Sequence, residues 1–298
     1  MLKLLRADLA RMWGSRCLWI CAAGAFLINF INSMISGDMS GTDDGGIIDH
    51  FGIVIFVISI FVPLFLGTEY SGSTIRNKLI IGRTRTEIYF ASLITVIIGS
   101  LVITAAGVSV SAVRLIAAGG FKEVEGNVPE TPRELFGIRI AVCIFAVIAA
   151  CAFYTLLGML ITKKSSGVVW AVFITILAYF SSPFIGAWLR EPEMVTASRI
   201  QSDRYFSEFQ WEKNSRYISG FPRAALGALY SDISFGSIDQ AGRGYNHTLY
   251  PEKYSMYTEK DNFAPGEEGL WALPLYSLGT TAVVTAIGTA LFRRKEIK

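Results

Sequence analysis

The chain has 298 residues, of which 52% are hydrophobic and 17% charged, and its formal net charge is only +3. Because soluble domains carry about a quarter of their residues as charged side chains, this composition indicates a protein that lies in a lipid bilayer. The small, dispersed positive charge argues against nucleic-acid binding. The four cysteines lie in apolar stretches, with no histidine or carboxylate nearby, which argues against both a disulfide framework and a metal site.

Residues 1–16 are predicted to form an amphipathic helix. Lys3, Arg6, Asp8 and Arg11 are distributed around its polar side. Its apolar residues recur at helical spacing and form one stripe: Leu2, Leu5, Leu9, Met12 and Trp13. Such a helix is suited to lie in the headgroup plane of a membrane. The following apolar run is too long for a signal-peptide core and lacks a small-x-small cleavage site, so we interpret this segment as interfacial.

Six apolar stretches approach the roughly 20 residues that a helix needs to cross a bilayer. The second contains Pro63, which neighbouring helices can accommodate. The spans cover about residues 17–37, 47–68, 88–113, 140–162, 165–189 and 269–292. The predicted fold is therefore an all-α integral membrane protein, with the six-span domain over residues 17–298.

Basic residues fall into four groups that alternate with the spans. They precede the first span, join the second to the third and the fourth to the fifth, and follow the sixth. The loop over residues 38–50, on the opposite side, has four aspartates and no Lys or Arg. Since Lys and Arg are enriched in cytoplasmic connections, we expect both termini to be cytoplasmic. The expected location is the plasma membrane of a bacterial cell.

The long connection over residues 190–268 is predicted to be an extracytoplasmic subdomain between the fifth and sixth helices. Its first part, residues 193–213, is expected to form helices on the membrane surface, and residues 221–230 another short helix. The remainder, around residues 242–257, is rich in glycine and tyrosine and reads as irregular structure. Asn246 begins a glycosylation sequon, a pattern that is common by chance.

The connection between the second and third spans carries the strongest helix signals outside the membrane. Ser71 or Ser73 can cap a short helix that runs to about Ile81, and Gly82 is placed to end it in the left-handed conformation. Thr84 and Glu87 have capping-box spacing and would start the next helix.

This short helix is expected to be held rigidly between two spans, so a partner that pushes it would move both without first ordering a linker. Ile75, Leu79 and Ile80 give it a small apolar face. Its basic residues, which suit an acidic groove or lipid phosphates, are Arg76, Lys78, Arg83 and Arg85. Alternatively, the segment is only a basic loop that lies against anionic headgroups.

The run from Glu69 to Tyr89 resembles the cytoplasmic loop of ABC-2 family permeases. The family pattern has an acidic-aromatic start, then Gly-Thr-Ile-Arg-Asn, then Leu, Gly, Arg and Tyr at fixed spacing. This chain departs from it at Gly72 and Ser73, where the usual order is reversed. The residues assigned to ATPase coupling are Glu69, Gly72, Thr74, Ile75, Arg76, Asn77, Lys78, Leu79, Gly82, Arg83, Arg85 and Tyr89.

The resemblance implies a coupling helix that docks on a separate ABC ATPase subunit. The chain has no G-x-x-x-x-G-K-[ST] phosphate loop, so it is expected not to be an enzyme, and ATP and Mg²⁺ are expected on the partner. Six spans are half a transporter in this family. We therefore expect a second permease chain, identical or paralogous, and two ATPase copies, which together export a peptide, lipid or drug-like substrate.

Polar residues within the spans are candidates for a substrate path. Asn29 and Asn32 lie one turn apart in the first span, and Tyr276 and Thr280 lie in the sixth. Hydrogen bonding between packed helices is the alternative interpretation. Two other functions stay open: an immunity or sensor protein that binds a peptide through its outer loop, and an intramembrane enzyme, for which the spans offer few converging catalytic groups.

Overall fold

The computed structural model describes residues 1–35, 47–117, 133–161, 163–189, 194–198, 209–213, 215–216 and 272–295. Six helices in this part of the chain are long and apolar enough to cross a membrane, which confirms the predicted number. The helices are α1 Leu2–Trp13, α2 Arg16–Ile35, α3 Ile47–Ser71, α4 Thr74–Ile80, α5 Arg85–Ala117, α6 Arg133–Leu160, α7 Lys164–Leu189 and α8 Ala272–Arg294. The strands are β1 Met194–Ser198 and β2 Phe209–Lys213.

The observed helices agree with the predicted spans to within a few residues at most ends. The second begins at Ile47, as the upstream isoleucines suggest, and continues through Pro63. The largest differences are in α5 and α6, where helix extends beyond the apolar window. α5 has 33 residues and is therefore about 50 Å long, which exceeds the roughly 30 Å hydrocarbon core of a bilayer.

α3 and α5 form the centre of the bundle. α3 packs against α2, α5, α6 and α7, whereas α5 packs against α1, α2, α3, α6 and α8. Phe61 and Phe65 of α3 are buried together with Tyr89 of α5 and Phe292 of α8. The outer helices α2, α7 and α8 keep broad apolar faces exposed, which a lipid environment would cover.

One end of the bundle, here named the basic end, collects the ends of most helices. The end of α3 meets the end of α6 where the Tyr70 hydroxyl donates to the Met159 carbonyl at 2.8 Å. The end of α8 reaches the same place, because Lys295 donates to the Leu160 carbonyl at 2.9 Å. α1 and α4 also lie at this end, joined by Asp8 and Lys78. The four groups of basic residues therefore share one end, as the alternation of spans requires.

α1 packs against the bundle differently from its predicted orientation. Its buried residues are Leu4, Asp8 and Met12, while Leu2 and Trp13 are exposed. Asp8, assigned to the polar side by its charge, is thus on the inner face. The physical reason is that two cations, Arg11 and Lys78, compensate its carboxylate.

The strand pair corrects the prediction for residues 193–213. β1 and β2 pair antiparallel, with Met194 opposite Lys213 and Ser198 opposite Phe209. The alternation of Phe209, Gln210 and Trp211, a period of two, was the strand signal in this segment. The expected helix at residues 221–230, the aromatic segment at 242–257, the sequon and the loop at 38–46 lie outside the described residues.

Candidate functional site: the α4 connection at the basic end

α4 begins after a tight turn made by Gly72 and Ser73. The Gly72 amide donates to the Thr68 carbonyl at 2.9 Å and the Ser73 amide to the Tyr70 carbonyl at 3.1 Å. Ser73 has φ 54° and ψ 16°, the only non-glycine residue with positive φ in the described part of the chain. It holds the N-cap position, but its side chain makes no capping hydrogen bond there, so the predicted serine cap is wrong.

The other end of α4 is closed as predicted. Gly82 has φ 85°. Its amide donates to the Leu79 carbonyl at 2.9 Å, and the Arg83 amide donates to the Lys78 carbonyl at 3.2 Å. These two bonds form a Schellman motif, which satisfies carbonyls at a helix end.

The predicted capping box then starts α5. The Thr84 amide donates to Glu87 Oε2 at 3.3 Å, and the Glu87 amide donates to Thr84 Oγ1 at the same distance. The connection from α4 to α5 is thus closed on both sides by local hydrogen bonds. It has little freedom to bend independently of the two helices.

The two faces of α4 have different environments. Ile75 and Lys78 are buried and Leu79 packs partly against the core, so these residues hold α4 to the bundle. The opposite face is exposed and consists of Arg76, Asn77, Ile80 and Ile81. Ile80 and Ile81 are 73% and 78% exposed. Ile75 and Leu79 of the predicted apolar face therefore pack inward, whereas Ile80 and the adjoining Ile81 form the exposed apolar surface.

Four charged side chains from three helices form an ion cluster behind α4. The cluster consists of Asp8 and Arg11 of α1, Glu69 of α3 and Lys78 of α4. Lys78 Nζ lies 2.8 Å from Asp8 Oδ1 and 3.3 Å from Glu69 Oε2. Arg11 contacts the Glu69 carboxylate and lies 3.3 Å from Asp8 Oδ1. Two cations balance two carboxylates, so the cluster is formally neutral.

Burial makes the ion cluster a strong constraint on α4. The side chains of Glu69, Asp8 and Lys78 are 1%, 3% and 9% exposed, and that of Arg11 is 35% exposed. Burial lowers the pKa of Lys78, and its hydrogen bond with Asp8 opposes that shift. A buried charge that loses its partner costs far more than a surface charge. The charges therefore hold α1, α3 and α4 in one arrangement.

Lys78 and Arg85 both have partners within the chain, which the sequence did not predict. Lys78 is a member of the ion cluster. Arg85, at the start of α5, donates from Nη1 to the carbonyls of Phe292 at 3.2 Å and Arg293 at 3.0 Å, and also to the Lys295 carbonyl. It thereby satisfies carbonyls at the end of α8, where the helix dipole favours a cation.

Tyr89 strengthens the same contact between α5 and α8. It is fully buried, and its ring centroid lies 6.3 Å from that of Phe292. The ring also lies over Gly288, where an added Cβ would be 2.6 Å from Tyr89 Cζ. The motif residues at the end of the connection therefore bind α5 to α8.

The structure brings together most of the residues assigned to ATPase coupling and separates them by role. Thr74 is half-buried at the start of α4, and Arg83 is half-buried beyond its end. Asp8 and Arg11 were not among the predicted site residues. The i, i+4 spacing of Leu4, Asp8 and Met12, which places Asp8 between two apolar residues on one helical face, was the sequence signal that could have found it. Its partner Lys78 is 70 positions away.

The residues predicted to line a substrate path lie on two separate packing faces. Asn29 is fully buried between α2 and α5, and its amide finds no hydrogen-bond partner among the described residues. Asn32 is half-buried on the same helix. Tyr276 is 39% exposed, and Thr280 donates to the Ser277 carbonyl at 2.9 Å. α2 packs on α5 and α3, whereas α8 packs mainly on α6. A substrate path lined by residues of both α2 and α8 therefore stays a prediction.

The described residues include all four cysteines, and no disulfide links them. Within the same part of the chain, no group of three His, Cys, Asp or Glu side chains is placed to hold a metal ion. No protein-family model matches the sequence, and no curated protein matches it.

Proposed function

We propose that this chain is the permease subunit of an ABC-type exporter and that α4 is its coupling helix. The observation that carries the proposal is the division of α4 into an anchored and an open face. Its inner face joins the ion cluster, while Arg76, Asn77, Ile80 and Ile81 are exposed. A partner can bind the exposed amphipathic face of such a rigid helix. A displacement of the helix by that partner would then move the spans on either side.

In the proposed arrangement the basic end is cytoplasmic, as the positive-inside rule favours. A separate ABC ATPase, present in two copies, binds ATP and Mg²⁺ and docks on the open face of α4. A second permease chain, identical or paralogous, completes the exporter. ATP-driven closure of the ATPases then moves α4 in both permeases and opens a route for a peptide, lipid or drug-like substrate.

Reversing charge or polarity on the open face tests the docking. Arg76→Glu and Ile80→Glu should each reduce recovery of the ABC ATPase at least ten-fold. That is a loss of about 1.4 kcal/mol or more in binding free energy, which is larger than most interface residues contribute. The measurement is quantitative co-purification in mild detergent. Matched controls are Lys163→Glu, another exposed cation at the basic end, and Ile116→Glu, which is 77% exposed at the far end of α5.

Two results would remove the proposal. One is a functional preparation that reproducibly contains no ABC ATPase, which would favour the sensor, immunity or intramembrane-enzyme alternatives. The other is the opposite topology. Cysteine labelling from outside should modify a probe at Tyr245 and leave one at Lys163 unmodified.

A further inference from the structure

The residue that follows α8 contacts the ends of two other helices at the basic end. Lys295 follows α8, and its Nζ donates to the carbonyls of Met159 at 2.6 Å and Leu160 at 2.9 Å, the last residues of α6. Nζ also lies 4.9 Å from the ring centroid of Tyr70, at the end of α3. The Tyr70 hydroxyl donates to the same Met159 carbonyl at 2.8 Å. We name this set of contacts the tail clasp.

The tail clasp provides hydrogen-bond donors to the last carbonyl groups of α6. The last carbonyls of an α-helix have no partner within the helix, and they form the negative end of its dipole. Lys295 supplies a positive charge to that end of α6. Partial burial among these groups lowers the pKa of Lys295.

The tail clasp also continues a line of contacts that begins at α4. The hydrogen-bonded connection after α4 leads to Arg85, and Arg85 holds the end of α8 through three carbonyls, one of them that of Lys295 itself. Lys295 then reaches α6 with its ammonium group. A displacement of the first turn of α5 therefore acts on α8 directly. It reaches α6 through the packing of α8 on α6 and, at the last turn of α6, through Lys295.

We propose that Lys295 is a positioning residue that transmits movement of the α4 connection to the end of α6. The inference rests on the proposed function, because it names the link that carries the coupling movement beyond α5 and α8. Without the Lys295 ammonium, α8 still follows α5 through Arg85, but the last turn of α6 loses the two hydrogen bonds that join it to the end of α8.

Distances to a helix outside this line test the proposal. Spin labels are placed on cysteines in a background without the native four, pairing Leu160 at the end of α6, or Arg293 at the end of α8, with Phe184 on α7. Phe184 is 74% exposed, and α7 packs mainly on α3. Pulsed electron paramagnetic resonance measures both distances in the complex with the ATPase, before and after adding Mg²⁺ and a non-hydrolysable ATP analogue.

In the wild-type protein, nucleotide should shift both distances. Lys295→Met, which keeps the aliphatic stem, should reduce the shift of the Leu160 pair, because only the packing of α6 on its neighbours then moves its last turn. It should preserve the shift of the Arg293 pair. The preserved shift also shows that this variant is folded and docked. Lys295→Arg, which keeps a charged donor, should restore the Leu160 shift, and Arg294→Met, at the exposed neighbouring residue, should behave as the wild type.

The two proposals fail in different ways. A Lys295→Met protein in which both pairs shift as in the wild type would overturn the role of Lys295 and leave the proposed function intact. A docked wild-type complex in which neither pair responds to nucleotide would remove the proposed function and this inference with it.

Discussion

Removal of Lys78 from the ion cluster should destabilise the protein far more than removal of a surface cation from the same helix. Lys78→Met leaves Asp8 and Glu69 buried with Arg11 as their only cationic partner in the cluster. At the observed separations of 2.8 and 3.3 Å, each lost attraction is about 5 to 6 kcal/mol at an effective dielectric constant of roughly 20. The Lys78→Met protein no longer has to bury an ammonium group, and the desolvation free energy that is saved offsets part of the lost attraction. A net loss of about 3 to 5 kcal/mol is expected, as for other buried pairs that lose one partner.

The assay is equilibrium unfolding in mixed micelles, with a double-mutant cycle. Asp8→Asn restores neutrality in the Lys78→Met background, so the double variant should be less destabilised than the sum of the single variants. A coupling free energy of about 1 to 3 kcal/mol is expected for residues in direct contact. Arg76→Met, on the exposed face of α4, is the control and should change the free energy of unfolding by less than about 0.5 kcal/mol.

Two results would refute this reasoning. If Lys78→Met lowered the free energy of unfolding as little as Arg76→Met does, the ion cluster would not constrain α4. If the effects of Lys78→Met and Asp8→Asn simply added, the two side chains would not act on each other, and another contact would have to hold α1 against α4.

Three other substitutions probe the backbone and packing around the site, each measured as thermal stability in detergent. Ser73→Gly should stabilise the protein by about 0.5 to 1 kcal/mol, because glycine adopts the left-handed conformation of this residue freely. The control Ser71→Gly, at the last helical residue of α3, should not stabilise the protein, and equal effects of the two substitutions would contradict the explanation. Gly288→Ala should cost about 1 to 3 kcal/mol, because the new methyl group would overlap the Tyr89 ring, and a neutral result would mean that the ring moves aside. Asn29→Leu should raise stability by about 1 kcal/mol, because it removes an unpaired buried amide; lower stability would mean that a partner reaches that amide, as a substrate path requires.

The parts of the site that could be predicted are those that depend on neighbours within one or two helical turns. Gly82 ends α4, and Thr84 with Glu87 starts α5, because the donors and acceptors of each motif lie within six positions of one another. The serine cap failed for a local reason as well. The turn at Gly72 places Ser73 in the left-handed region, where the side chain does not cap the helix.

The exposed and buried faces of α4 could not be assigned from the sequence. Helical periodicity groups Ile75 with Leu79, but it equally allows Lys78 to face outward, as a lysine normally does. The carboxylates of Asp8 and Glu69 reverse that preference, because they stabilise the Lys78 ammonium group in the interior, which an apolar core would not do. The same compensation moves Asp8 to the inner face of α1.

The sequence by itself determined the membrane-spanning helices and their number, because a helix that crosses a bilayer needs a long apolar run whatever its neighbours are. It also determined the alternation of the spans, which gathers the basic residues at one end. Only the tertiary structure decided which charges are buried and which helix ends are joined. The partners of Lys78 and Lys295 lie up to 70 and 136 positions away. Contacts at such separations depend on how the helices pack, and no local pattern of side chains encodes them.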